Sequence, residues 1–261
     1  MTFKSSSQFI KAIKNNPQNF YIIHYSCQSL NDDNEGLSPR ITSIGITHFS
    51  TEQTVSFSTH SIAEELHISR EFVRDRFDEV EFQLLTRFFE FVRDRRDKNW
   101  VHWNMRNLTY GFEHLEHRFS ALGGKNAPVI PVERRVNLND ILSDRYGANY
   151  ANHPKMLSLM ELNGGMHRDF LTGAQEVEAF QANEFIKMHK STLFKLGFFY
   201  NVIRNMLSGH LKTKSRGFGV MLDKIFDGRF SKFVAFITGI ITFIGMIYAA
   251  WGWLSPLFFR Q

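Results

Sequence analysis

Cysteine is nearly absent: Cys27 is the single one in 261 residues. No internal disulfide can form, a thiolate zinc site and a redox pair are excluded, and the usage fits a reducing compartment. There is no Gly-x-Ser-x-Gly elbow and no phosphate-cradling Gly-Lys-Ser/Thr loop, so the familiar signatures of serine hydrolases and P-loop nucleotidases are missing. Thr213 to Gly219 has basic and glycine residues without that spacing and reads as a lipid-headgroup loop. Met1 to Lys14 has no apolar run resembling the core of a signal peptide. There is no low-complexity tract, and the echo Phe-Val-Arg-Asp-Arg at 72–76 and 91–95 is too brief to be an architectural repeat.

Charge is missing from one long stretch. Between Phe233 and Phe259 no charged side chain occurs, and Phe233 to Leu254 is apolar on every face. As a helix rising ~1.5 Å per residue this run would be roughly 33 Å long, enough for the ~30 Å hydrocarbon core. Arg229 and Lys232 precede it, Tyr248, Trp251 and Trp253 sit near its far end, and Pro256 ends it. The sequence therefore predicts a transmembrane helix over 233–254 and a short extracytoplasmic tail over 255–261.

The formal charge of +5 is unevenly distributed. Residues 1–186 hold 20 basic and 24 acidic groups, whereas ten Lys or Arg and two acids fall between Lys187 and Lys232. The positive-inside rule then leaves residues 1–232 in the cytoplasm of a single-pass protein, with a few residues outside. Basic residues beside anionic lipid explain the sequence pI of 9.3 more simply than a nucleic-acid surface does. Residues 187–232 read as a basic amphipathic juxtamembrane region, with Lys212, Lys214, Arg216, Arg229 and Lys232 at the membrane surface. Within it, Leu193 to Leu211 and Phe218 to Phe230 are expected to be interfacial helices lying on the bilayer. Insertion of the first as a second span would bury Arg204 and invert the charge rule.

The preceding part, 1–186, predicts an α/β domain. Ser7 to Lys14 reads as a short helix. Phe20–Cys27, Ile41–Phe49 and Thr54–Thr59 read as successive strands of an antiparallel meander. Val73, Phe77, Val80, Leu84, Phe88 and Val92 recur at helical spacing between Glu71 and Arg96. A strand follows at Trp100–Met105, a helix from Phe112 to Leu122 before Gly123-Gly124, and a strand from Val129-Ile130 and Val136–Leu138. Asn137 or Asn139 could cap the next element. A helix over Tyr150–Leu162 and a long one beginning Gln175–Lys190 complete the order, which implies a mixed sheet with flanking helices.

That order, with the stretch Val101-His-Trp-Asn-Met-Arg-Asn-Leu-Thr-Tyr-Gly-Phe-Glu-His-Leu115, resembles the ribonuclease-H-like fold of the DEDD 3′–5′ exonucleases. Met166-His-Arg-Asp-Phe-Leu-Thr-Gly-Ala-Gln-Glu-Val-Glu-Ala-Phe180 is similar to the third motif of that family, and the likeness covers about residues 20–185. The family cuts phosphodiesters with two divalent cations about 3.5–4 Å apart, held by several carboxylates. Here the strand that should carry Asp-x-Glu reads His24-Tyr-Ser-Cys-Gln28. Tyr110-Gly111 replaces the acid of the second motif, Gly173-Ala174 that of the third, and His167 is displaced by one residue. Asp169, Asp140 and Glu113 are near in sequence but out of register. The resemblance thus implies a catalytically dead domain, with no catalytic residue, metal or cofactor expected.

Two constellations remain. His102, His114 and His117 with Glu113 invite a metal reading, but no thiolate assists and surface histidines on an amphipathic helix are common. Trp100, Trp103, Asn104, Arg106 and Tyr110 form a dense aromatic and polar group at a strand end. There a base could stack on Trp103 with Arg106 at a phosphate, or a protein partner could dock, or the aromatics could simply pack together. With His102 and His167, these are the candidate ligand or partner residues.

The layout resembles the membrane effectors of bacterial antiviral systems, retrons among them. That resemblance implies a cytoplasmic domain sensing, or restrained by, a nucleic acid or a protein or ribonucleoprotein partner encoded nearby. On activation the C-terminal helices would oligomerise, as a homo-oligomer in the membrane, or rearrange, and so disrupt the inner membrane in abortive infection. The alternative is a membrane-tethered DEDD-like exonuclease with acids in unexpected registers.

Overall fold

The computed structural model describes residue 3 and residues 5–29, 38–106 and 109–214, and, of the C-terminal run, residues 237–239, 241–242 and 245–246. The chain opens with α1 (Ser6–Asn15), capped by the Ser5 side chain. The strands β1 (Phe20–Cys27), β2 (Ile41–His48) and β3 (Thr54–Ser58) follow as the expected meander. After α2 (Thr59–Glu65) and α3 (Phe77–Arg93) come β4 (Asn99–His102), α4 (Phe112–Ala121), β5 (Arg135–Asn137) and α5 (Leu138–Tyr146). The domain closes with α6 (Lys155–Leu162), α7 (Gly173–Gln181) and α8 (Phe185–Ser208).

The strand order is β3-β2-β1-β4-β5. β1 to β3 pair antiparallel, with Ile23 opposite Ile46, while β1, β4 and β5 run parallel, with Ile22 beside Val101 and Val101 beside Val136. This is a mixed five-stranded α/β sheet between helices. Alternation along β1 sends Ile23, Tyr25 and Cys27 into a core shared with α3 and α4, and Phe20 and Ile22 into one shared with α1, α5 and α8. All six apolar positions expected on the helical face between Glu71 and Arg96 are buried, although α3 itself starts only at Phe77.

Several elements differ from the sequence expectation. The expected long helix is two helices: α7 stops at Gln181, Asn183 adopts a left-handed conformation (φ 56°), and α8 begins at Phe185. α6 starts after Pro154 rather than at Tyr150, β5 contains only 135–137, and α2 and α5 are additional to the expected order. The Asn137 side chain does cap α5, accepting from the Asn139 amide.

The largest correction concerns Leu193 to Leu211. Its apolar face meets the sheet: Leu196, Phe199, Val202, Ile203 and Met206 are buried in the second core, and α8 packs along β1 and β2. Gly45 on β2 permits this approach, since a Cβ there would come within 3.2 Å of Leu196. Burial of a leucine or phenylalanine stabilises by roughly 1.5–3 kcal/mol whether lipid or protein supplies the cover, so the stripe alone could not distinguish the two. A division at 186 consequently falls within α8, which ends at the left-handed Gly209.

Among the described residues no helix is long and apolar enough to cross a membrane. The expected span over 233–254 lies for the most part outside those residues, as do Phe218 to Phe230 and the tail over 255–261; Ile237, Ile241 and Met246, which are described, are exposed.

A candidate binding cleft at the end of the parallel strands

β4 stops at His102, so among the described residues the last residues of β1 have no strand beside them on that edge. A cleft of about 400 Å³ opens there. His24 of β1 forms part of its floor, Trp103 and Asn104 leave β4 along one side, and Tyr110 approaches from the segment before α4. The opposite wall comes from Pro154, Met156 and Leu157 at the start of α6 and from Phe170 to Gly173 at the start of α7. Thr172 fixes that start with a capping box to Gln175.

Beneath the opening is a buried ion pair. Lys195 Nζ of α8 donates to Glu176 Oε1 of α7 at 2.5 Å, with side chains only 8% and 6% exposed. The same oxygen accepts from Ser26 Oγ at 3.1 Å and Ser191 Oγ at 3.2 Å. Ser26 Oγ also lies 2.8 Å from Thr192 Oγ1, and Ser191 Oγ accepts the Leu171 amide at 3.1 Å. One carboxylate oxygen thus ties together β1, α7, α8 and the loop before α7.

A second chain of bonds runs along the floor. Tyr110 Oη is 3.2 Å from the Tyr25 carbonyl and 3.1 Å from His24 Nδ1. A carbonyl only accepts, so both contacts are hydrogen bonds only when the phenol donates to Tyr25 and accepts from a protonated Nδ1. His24 is then the Nδ1–H tautomer, with a lone pair on Nε2. Burial, and next the nearby Lys195 charge, hold the His24 pKa well below the usual histidine value, while burial raises that of Tyr110. Both are neutral at physiological pH.

The residues singled out from sequence are divided by the fold. Trp103 and Tyr110 line the cleft, and Trp103 is stacked on Phe199 at 5.6 Å. Asn104 stands at the rim in a left-handed conformation (φ 54°), its side-chain oxygen accepting from Arg106, Asn137 and Asn139. Arg106 reaches Asp140 at 2.6 Å. Trp100 cannot receive a stacked base: it is fully buried on the other face of the sheet, stacked on Tyr21, and donates to the Arg95 carbonyl. His102 is buried too, accepts the Met105 amide, and is held by burial at a pKa of about 3. His167 lies apart, stacked on Phe194 and 3.4 Å from Asp169.

His114 uses both ring nitrogens, toward Tyr25 Oη and the Pro39 carbonyl, and Glu113 pairs with Arg135. Among the described residues no group of three or more His, Cys, Asp or Glu is placed to hold a metal ion. The Cys27 thiol is buried, and burial raises its pKa. Of the expected membrane-surface lysines, Lys212 exchanges backbone bonds with the Asn163 side chain, and Lys214 binds Asn152 and the Tyr150 carbonyl. Arg216, Arg229 and Lys232 lie outside the described residues.

Glu176 and Lys195 are not among the sequence-derived candidates, and His24 enters there only as the residue standing where an acid is expected. The available signals were a polar pair, His24 and Ser26, on one face of an apolar strand, and a lysine inside the apolar stripe of α8.

Compared with protein-family models, with curated proteins and with solved structures, the chain matches none.

Proposed function

We propose that the chain is a membrane-anchored effector of a bacterial antiviral, abortive-infection system, with a cytoplasmic domain that is a ribonuclease-H-like fold used for binding rather than cutting. One observation carries this reading. The positions where the exonuclease resemblance calls for acids, at His24, at Tyr110 and at Gly173, come together around a single cleft, and none of them is an acid. The carboxylate that is present, Glu176, is paired with Lys195, so the ammonium already supplies the positive charge that a divalent cation would bring. The domain senses, or is restrained by, a partner or nucleic acid. The uncharged run over 233–254 delivers the response at the inner membrane, a role favoured by its length, its flanking residues and the exposure of Ile237, Ile241 and Met246.

Expression of the full chain in bacteria, read with a potential-sensitive dye, tests this. Depolarisation that disappears on deleting residues 231–261 is expected. Undiminished toxicity of the deletion would overturn the reading, and labelled single-stranded DNA cut by the full chain in Mn²⁺ would favour the tethered exonuclease.

A further inference from the structure

The two edges of the sheet are finished differently. β5 is guarded: it is three residues long, opens on Arg135, which is held by Glu113, and runs straight into α5. β3 is not. Thr54-Val-Ser-Phe-Ser58 carries no charge and no proline, no described strand lies beyond it, and Thr54, Val55 and Ser56 are exposed. Edge strands are ordinarily blunted by a charge, a proline, a bulge or a covering segment, because their outward N–H and C=O groups are a template for another strand. Which groups point outward follows from the ladder. The Gln53 carbonyl accepts the His48 amide at 2.9 Å, and the register sets Val55 opposite Ile46 and Phe57 opposite Ile44. Gln53, Val55 and Phe57 therefore turn their backbone groups toward β2, while Thr54 and Ser56 turn theirs away. The edge is also held stiff. Phe57 packs edge-on against Phe88 and Phe91 of α3 on one face, and Ser56 Oγ lies 3.4 Å from His189 Nε2 of α8 on the other.

Charge and apolar surface together point to the occupant. Val55 is 40% exposed although Ile46, its neighbour across the ladder, is buried; what Val55 lacks is an apolar neighbour on its outer side. Glu52, just before the strand, is already engaged within the chain by Tyr200 and Arg204. Two copies of this strand brought edge to edge thus set no like charges opposite each other, and each offers the other the apolar side chain it needs. We propose that β3 is a homodimerisation edge, on which β3 of a second copy adds antiparallel about a two-fold axis through Val55, joining the two sheets into one. Thr54 of each copy then exchanges backbone bonds with Ser56 of the other. Between them the two Val55 side chains form a close, non-hydrogen-bonded pair and cover each other. Centring the axis on Val55 keeps the added strand clear of α2, which begins at Thr59.

Cysteine crosslinking of the full chain in detergent tests this, since Cys27, the single native cysteine, is buried. Facing residues of a non-hydrogen-bonded pair have Cα atoms about 4.5 Å apart, within reach of a disulfide. Under mild oxidation Val55→Cys should give a disulfide-linked dimer, while Val132→Cys, a 68% exposed control beside the other edge, should stay at background. In the unaltered protein, hydrogen exchange at the Thr54 and Ser56 amides should slow as the protein is concentrated, a readout that needs no variant to fold. A linked fraction for Val55→Cys no greater than for Val132→Cys, or fast exchange at both amides at the highest concentration reached, would overturn the proposal. Slow exchange without crosslinking would mean that a different strand covers the edge, which also overturns it. The pairing uses neither the cleft nor the membrane, so its failure leaves the depolarisation result standing.

Discussion

The ammonium of Lys195 lies 2.5 Å from Glu176 Oε1, under the cleft and away from water. Removing one partner of such a pair strands the other as a buried charge, at a cost of about 3–5 kcal/mol, whereas replacing both with neutral groups costs far less. Lys195→Met should therefore lower the urea midpoint sharply, and adding Glu176→Gln should restore most of the loss. Equal midpoints for the single and double variants would show that the pair is not desolvated.

The domain must extend through α8. Residues 1–186 lack Leu196, Phe199, Ile203 and Met206, which cover one face of β1 and β2. Circular dichroism of residues 1–214 should show a cooperative thermal transition, and residues 1–186 should show none. Cooperative melting of the shorter fragment would mean that α8 is dispensable.

Acid should weaken the fold at a predictable place. His102 is held at about 3 and His114 at about 4, in both cases chiefly by burial, against about 6.5 in an unfolded chain. Between those values the unfolded state binds more protons, so stability is full above pH 6.5 and declines below it. The slope is about 1.4 kcal/mol per pH unit for each histidine, fading as pH approaches the folded values. Urea midpoints from pH 7.5 to 4.5 should follow this fall, and His114→Gln should make it shallower. A flat profile would contradict the burial of both rings.

Tyr110→Phe leaves the Tyr25 carbonyl and His24 Nδ1–H without their shared partner. A loss of about 1–3 kcal/mol in unfolding free energy is expected from two unpaired groups of which at least one is buried. The same variant should let His24 adopt either tautomer, visible in its ring ¹⁵N shifts. Unchanged shifts would contradict the assignment of Nε2 as the bare nitrogen.

Much of the sheet was legible because period-two and helical patterns act locally: a strand does occupy Thr54–Ser58, although Val55 is exposed, and the Val80, Leu84, Phe88 stripe is buried as expected. The α7–α8 break was not, because it depends on Asn183 tolerating a left-handed backbone between two apolar helical segments. The stripe of α8 fits lipid and protein equally in sequence, because apolarity does not say what covers it. Trp100 and Trp103 look alike in sequence, yet their side chains leave the strand region toward opposite cores. Glu176 and Lys195 stand 19 residues apart and Ser26 is 150 residues from Glu176, so only the fold brings them together.

The most direct test of a binding cleft in place of a catalytic one is a Mn²⁺ titration of the full chain, followed by incubation of the same sample with labelled single-stranded DNA. A carboxylate already paired with Lys195 predicts no specific Mn²⁺ uptake and intact DNA. Mn²⁺-dependent cleavage that is lost in Glu176→Gln would contradict it.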